Sequence, residues 1–163
     1  MDKTKATKAV SLLISIIVCC LALQDIQDWS AVGIFTGCGP VCRLSYPFYH
    51  VNVLHAALNA WCLLSVVFVY KVSLWRLAFA YIAAVSVPTS CLSGVPTVGL
   101  SGLVFVLFGS VSFEVERKVH YQLWMVVYLI IGFLFPGTNA WIHLYCYLAG
   151  CLAALLNKPV KIS

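Results

Sequence analysis

Five polar side chains of kinds that take part in acyl transfer stand within otherwise apolar stretches of this sequence: His50, His55, Asn59, Ser101 and His143. Polar and ionisable groups inside membrane-spanning segments are costly, so by default they mark a functional site. A serine hydroxyl is a poor nucleophile until a neighbouring base takes its proton, and histidine is the commonest such base. Ser101 and His143 are therefore the candidate nucleophile and general base.

Two of these side chains suit another task, the stabilisation of an oxyanion. His55 and Asn59 are four residues apart, so on a helix they share one face and lie one turn apart. Both donate hydrogen bonds, and a donor that meets a developing oxyanion is worth roughly 10²–10³ in rate. The alternative is that they form hydrogen bonds between helices and have no chemical role.

The elements that must position these residues are membrane-spanning helices. Of the 163 residues, 63% are hydrophobic and 9% are charged, and the mean hydropathy is +0.99; soluble domains are roughly 45–50% apolar and about 25% charged. A span needs about 20 apolar residues, so the chain has room for six spans and no aqueous domain. We predict an all-α, polytopic membrane protein in which residues 1–163 form one domain. The six predicted spans cover about 8–24, 49–70, 72–91, 99–114, 121–136 and 139–157.

The interiors of these spans contain no Asp or Glu, which argues against an aspartyl protease and leaves a serine–histidine dyad. Basic residues predict the orientation, because cytoplasmic loops carry the excess of Lys and Arg. With a cytoplasmic amino terminus, only Arg43 of the ten basic residues lies outside. The other nine are Lys3, Lys5, Lys8, Lys71, Arg76, Arg117, Lys118, Lys158 and Lys161. We therefore predict that both termini are cytoplasmic and that the polar side chains lie in the outer halves of the spans.

The fourth span follows an uncharged segment with two glycines and a proline, residues 91–99, which we call the strap. Non-helical backbone of this apolarity is tolerated at membrane depth only where protein or a water-filled cavity covers it. The sequence therefore predicts a helix that begins below the outer surface, with Ser101 near its amino-terminal end. Unpaired N–H groups at that end suit an oxygen that becomes negative during a reaction.

Three motifs, in the same order along the chain, resemble those of the rhomboid intramembrane serine proteases. A Gly-x-Ser-Gly motif opens the fourth span at residues 99–102, and Gly109 follows it. The second span carries His-x-x-x-Asn at His55 and Asn59, preceded by His50. The sixth span carries His143, followed at helical spacing by Gly150. The resemblance covers essentially the whole chain and implies a six-helix rhomboid-like bundle.

By this resemblance, Ser101 attacks the scissile carbonyl and His143 acts first as base and then as acid. His55 and Asn59, with backbone N–H groups around Gly99 and Leu100, would bind the oxyanion and the substrate, and Gly102, Phe105 and His50 would support the site. The implied substrates are transmembrane segments of other proteins, cut near their outer ends within the lipid bilayer. No cofactor or metal ion is implied.

Some residues differ from the rhomboid pattern. Cys146 stands where a glycine usually follows the histidine by three residues, and Phe105 replaces a common tyrosine while keeping a surface on which the His143 ring can stack. Arg43 lies at about the place of a Trp-Arg pair in the first loop. Cys38, Cys42 and Cys91 lie on the predicted outer side, where a disulfide among them is an open alternative.

Two rival functions remain open: a catalytically silent rhomboid-like protein that binds membrane clients, and a small transporter or channel. The transporter is disfavoured because the chain has no intramembrane carboxylates and no internal repeat. The basic residues are not interleaved with aromatic ones, so no nucleic-acid partner is predicted. No organelle-targeting segment precedes the first span, which favours a bacterial inner membrane over a eukaryotic secretory-pathway membrane. The oligomeric state is left open.

Overall fold

The prediction of an all-α fold is confirmed by a computed structural model, which describes residues 3–135 and 137–156 apart from the side chain of Lys3. The described residues form seven α-helices and no β-strand. The helices are α1 (Lys3–Leu21), α2 (Pro40–Ser45), α3 (Val53–Val69), α4 (Leu74–Val85), α5 (Ser101–Val111), α6 (Lys118–Leu134) and α7 (Ala140–Leu156). Lys158, Lys161, Pro136 and the end of the sixth predicted span lie outside the described residues.

Each predicted span overlaps one helix of 11 to 19 residues, but several boundaries differ, and α1 and α6 begin before their predicted spans. The third span was predicted to reach residue 91, whereas α4 ends at Val85. Pro88 explains the early end, because the residue before a proline avoids the helical conformation. The short helix α2 in the first loop was not predicted; it begins with Pro40 at its first position, where the missing N–H costs nothing.

The helices differ in how well their length suits a bilayer. Among the described residues, one helix passes a test of length and apolar composition for crossing a membrane, the segment Thr4–Leu21 within α1. The helices from α3 to α7 are apolar but contain only 11 to 17 residues each.

Helix α5 lies at the centre of the bundle, packed mainly against α7 and also against α4. Apart from Ser101, Phe105 and Phe108, all its residues are buried, which is typical of a helix enclosed on every side. The crossing of α5 and α7 is so close that backbones touch at Gly109 and Gly150. A Cβ on Gly150 would collide with the carbonyl oxygen of Val106, and one on Gly109 would collide with that of Tyr147. Glycine at both positions is therefore a requirement of the α5–α7 packing.

The outer helices α1 and α6 bury a smaller share of their residues. Helix α1 packs on α3, and small polar residues, Thr7, Ser11 and Ser15, lie buried on it. Helix α6 buries only Met125, Leu129 and Gly132. Most of its other aromatic and aliphatic side chains are exposed, whereas Tyr121 points inward and donates to the Phe108 carbonyl at 2.9 Å.

The first loop is tied to the strap by backbone and side-chain hydrogen bonds. Ile34 and Thr97 form an antiparallel bridge, with N–H to carbonyl distances of 2.8 and 2.9 Å. Arg43 donates to the Val87 carbonyl at 3.1 Å and to Thr89 Oγ1 at 2.7 Å, so it joins α2 to the segment after α4. These contacts fix the segment that leads into α5.

Candidate active site

Ser101 is the first residue of α5, and it follows Gly99 of the strap, whose backbone conformation favours glycine. Gly99 has φ +139°, a conformation that L side chains rarely adopt. A Cβ on Gly99 would also lie 3.1 Å from Cε1 of His55. The strap therefore turns into the helix directly beside the His55 imidazole.

His143, in the first turn of α7, reaches Ser101 directly. Its Nε2 lies 2.8 Å from Ser101 Oγ, which is hydrogen-bonding distance. The ring of Phe105 stacks on the His143 ring, with centroids 4.3 Å apart and planes 12° apart. This stacking surface was expected from the sequence, and it restricts the imidazole to an orientation that faces the hydroxyl.

Both ring nitrogens of His50 are hydrogen-bonded, and one of them holds the end of the strap. Its Nε2 accepts the N–H of Leu100 at 3.1 Å, so its Nδ1 carries the proton and donates to the Phe48 carbonyl at 3.3 Å. The ring is buried and meets the His55 ring edge-on at 4.9 Å. The Leu100 N–H is bonded to His50 and the Leu100 side chain lies in the core, so Leu100 anchors the end of the strap. Its N–H is therefore not free to bind a ligand.

The α3 residues lie beside the same site. Asn52 caps α3 by accepting the His55 N–H at 2.8 Å, which fixes the helix start. Asn59 Nδ2 donates to the His55 carbonyl at 3.1 Å. A carboxamide has two N–H groups, so a second one is available to a ligand.

A cavity of about 1000 Å³ joins these groups. Its lining includes five of the predicted site residues: His55, Asn59, Gly99, Ser101 and His143. Apolar side chains supply much of the rest, among them Leu58, Val95, Phe133 and Trp141. Four other predicted site residues lie outside the lining and pack around residues that form it: His50, Leu100, Gly102 and Phe105. Its apolar walls and few convergent polar groups are typical of a ligand site.

Two polar residues of this cavity, Thr97 and Asn139, were missed from the sequence. Asn139 Nδ2 donates to Thr97 Oγ1 at 3.2 Å, and both residues line the cavity. Each stands four residues before a member of the candidate dyad, but both precede their helices, so this spacing gave no sign of a shared helix face.

Cys146 fits where a glycine was expected because Gly102 faces it. A Cβ on Gly102 would lie 3.4 Å from Cys146 Sγ and 2.9 Å from Tyr46 Oη. Cys146 is completely buried at this contact. The missing side chain at residue 102 thus makes room for the thiol.

The cysteines of the first loop and strap are unpaired. Cys38, Cys42 and Cys91 are free thiols, and Cys42 donates to the Ser30 carbonyl at 3.2 Å. Within residues 3–135 and 137–156, no group of three His, Cys, Asp or Glu is placed to hold a metal ion.

No known family, curated protein or solved structure matches this chain. The resemblance to rhomboid proteases therefore depends on the three motifs alone.

Proposed function

We propose that this protein is an intramembrane serine protease of the rhomboid type, which cleaves transmembrane segments of other membrane proteins. The observation that carries the proposal is the 2.8 Å contact between Ser101 Oγ and His143 Nε2, at the wall of a large cavity. His55 and Asn59 line the same cavity, so the groups for attack, proton transfer and oxyanion binding converge on one space.

The surface supports a polytopic membrane protein. Large apolar side chains are exposed along the long helices, including Ile16 at 59%, Trp61 at 73%, Leu123 at 61% and Leu134 at 74%. Soluble proteins rarely expose contiguous apolar patches of more than a few hundred Å². Lipid would cover these side chains at no cost.

The strap explains how α5 can serve as a span despite its length. Its 11 residues rise only about 16 Å, roughly half of the hydrocarbon thickness. Val98, Gly99 and Leu100, which precede it, are buried in protein, which is the condition for non-helical backbone at membrane depth.

The distribution of charge supports an outward-facing cavity. Helices α3, α5 and α7 all begin at the cavity. Lys71 and Glu114 follow the far ends of α3 and α5, and Arg76 pairs with Glu114 at 2.7 Å. Under the positive-inside rule that far end is cytoplasmic, so the cavity opens on the extracytoplasmic side and both termini are cytoplasmic.

The proposed reaction uses the dyad in two steps. Ser101 Oγ attacks the scissile carbonyl carbon while its proton passes to His143 Nε2, and the carbonyl oxygen becomes an oxyanion. His55, the free N–H of Asn59 and the open amino-terminal end of α5 stabilise that charge. His143 then protonates the leaving amine as the C–N bond breaks. Water, activated by the same imidazole, hydrolyses the acyl-enzyme and restores Ser101.

The test is cleavage of a fluorogenic transmembrane peptide, with Gly and Ala near its outer end, by the purified protein in liposomes. We expect cleavage by wild type and none by Ser101→Ala. The matched control is Ser90→Ala, an exposed serine of the segment before α5, which should cleave like wild type. Cleavage that persists in Ser101→Ala would refute the proposal. A folded wild-type protein that binds the peptide without cutting it would favour the silent client-binding function instead.

A further inference from the structure

The hydrogen bond between Asn139 and Thr97 joins the same two chain segments as the candidate dyad, four residues earlier in each. Thr97 precedes Ser101 by four residues, and Asn139 precedes His143 by four residues. Asn139 Nδ2 lies 3.2 Å from Thr97 Oγ1, and His143 Nε2 lies 2.8 Å from Ser101 Oγ. The same two chain segments are thus joined twice, once through the reacting groups and once through a neutral polar pair.

Thr97 is a fixed point of the strap. Its N–H and carbonyl both bond to Ile34, which is completely buried in the first loop. On the other side of this contact, a Cβ on Gly33 would lie only 3.2 Å from the Thr97 carbonyl oxygen. The Thr97 hydroxyl is therefore held in place by backbone contacts on a separate part of the chain.

Asn139 stands at the start of α7, directly before its first residue. Its carbonyl accepts the N–H groups of Ile142 at 3.1 Å and of His143 at 3.5 Å. The loop before it contains the exposed Gly137 with φ +89°, a residue with wide conformational freedom. The bond to Thr97 consequently attaches the first turn of α7, and His143 with it, to the strap.

We propose that Asn139 and Thr97 are positioning residues, which hold the start of α7 against the strap so that His143 stays within proton-transfer distance of Ser101. This inference rests on the proposed protease function. Proton transfer and attack depend on near-contact geometry, and a displacement of about 1 Å costs up to roughly 10²-fold in rate. A neutral pair suits the task, because it adds no charge beside the imidazole.

If the same bond restricted substrate entry instead of positioning His143, its removal would have the opposite effect on kinetics. Both side chains line the cavity, so the bond also spans part of its wall between the strap and the start of α7. If it were a latch that restricts substrate entry, its removal would increase turnover or lower KM. If it positions His143, its removal lowers kcat and leaves KM nearly unchanged.

The test measures kcat and KM for the fluorogenic transmembrane peptide with Thr97→Val, Asn139→Ala and the double variant. Valine keeps the shape and backbone bonds of Thr97 but removes the acceptor. We expect each single variant to lower kcat about 10-fold with KM within about twofold of wild type, and the double variant to be no worse than the singles, because the two remove one shared bond. Thr97→Ser, which keeps the hydroxyl, should retain most of the wild-type kcat.

The matched control is Thr36→Val. The Thr36 hydroxyl also ties the first loop to the strap, through the Leu92 and Thr89 carbonyls, but does not reach α7. We expect it to keep the wild-type kcat. An equal loss of kcat in Thr36→Val and Thr97→Val would mean that strap anchoring in general is responsible, and would overturn the assignment to α7.

Failure of this inference is distinct from failure of the proposed function. A wild-type protein whose cleavage depends on Ser101, but whose kcat is unchanged or raised in Asn139→Ala, would overturn the positioning role and leave the protease intact. Losses that multiply in the double variant would do the same. If Asn139→Ala does not fold, Thr97→Val against Thr97→Ser decides the question alone. Cleavage that is independent of Ser101 would remove the function itself.

Discussion

The candidate site has two halves, the Ser101–His143 pair and the α3 donors His55 and Asn59, and they differ in whether their hydrogen bonds are already formed. Ser101 and His143 lie on α5 and α7, whose backbones touch at Gly109 and Gly150, and their side chains are already hydrogen-bonded. Asn59 lies on α3, which contacts α5 much less, and its amide bonds to its own helix at the His55 carbonyl. The proposed nucleophile and base are therefore already hydrogen-bonded to each other, whereas the proposed oxyanion donors would complete their bonds only when a substrate carbonyl arrives.

The largest expected effect is on the assembled half. His143→Ala should lower kcat about 10⁴-fold or more, because no other base in the described part of the chain is hydrogen-bonded to Ser101 Oγ. Removing one member of a catalytic pair leaves the other without its function. Peptide cleavage in liposomes measures this, and thermal unfolding checks that the fold is retained. The double variant Ser101→Ala/His143→Ala should be no slower than either single. Near-normal turnover in His143→Ala would mean that another base is used.

A smaller loss is expected from the half that is not assembled. Asn59→Ala should lower kcat about 10²–10³-fold, since it removes one donor to the transition-state oxyanion, with little change in KM. A control is Asn52→Ala, which removes the cap of α3 and should lower stability by about 1 kcal/mol. If Asn59→Ala raised KM and left kcat intact, the amide would be contributing to ground-state binding only.

The close α5–α7 crossing gives a stability effect. Gly150→Ala introduces a methyl group that collides with the Val106 carbonyl, so the helices must separate at a cost of about 1–3 kcal/mol. Thermal unfolding in detergent would measure it. Gly94→Ala is the matched control, because a Cβ there meets nothing within 4 Å, and it should be neutral. Equal stability of the two variants would show that the crossing tolerates separation.

The smallest expected effect concerns the ring that orients the base. Phe105→Leu removes the stacking partner of His143, which is worth about 0.5–1.5 kcal/mol beyond burial. We expect kcat to fall about 2- to 12-fold, and Phe105→Tyr to keep the wild-type rate because it keeps the ring. A full loss of activity in Phe105→Leu with the fold intact would mean that the ring does more than orient the imidazole.

Local sequence patterns predicted the central part of this site. The spacing of His55 and Asn59, the glycines before Ser101 and the place of Phe105 all depend on helix periodicity and on motifs within a few residues. The structure brings His55, Asn59, Gly99 and Ser101 together at one cavity, stacks Phe105 on His143, and begins α5 at Ser101 as expected.

Contacts between distant segments could not be predicted in the same way. The Ile34–Thr97 bridge, the Asn139–Thr97 bond and the use of the Leu100 N–H by His50 join loops that are 42 to 63 residues apart. No periodic pattern encodes such pairs, because each depends on how the helices pack first. The short helix α2 was missed for a related reason: six residues carry too little periodicity to stand out within a loop.

Ser101 is tested most directly as an activated nucleophile by fluorophosphonate labelling of the purified protein, with the modified residue mapped by mass spectrometry. We expect one adduct, on Ser101, that is lost in Ser101→Ala and forms much more slowly in His143→Ala. Labelling of a different residue, or no labelling of folded wild-type protein, would contradict the assignment of Ser101 as an activated nucleophile.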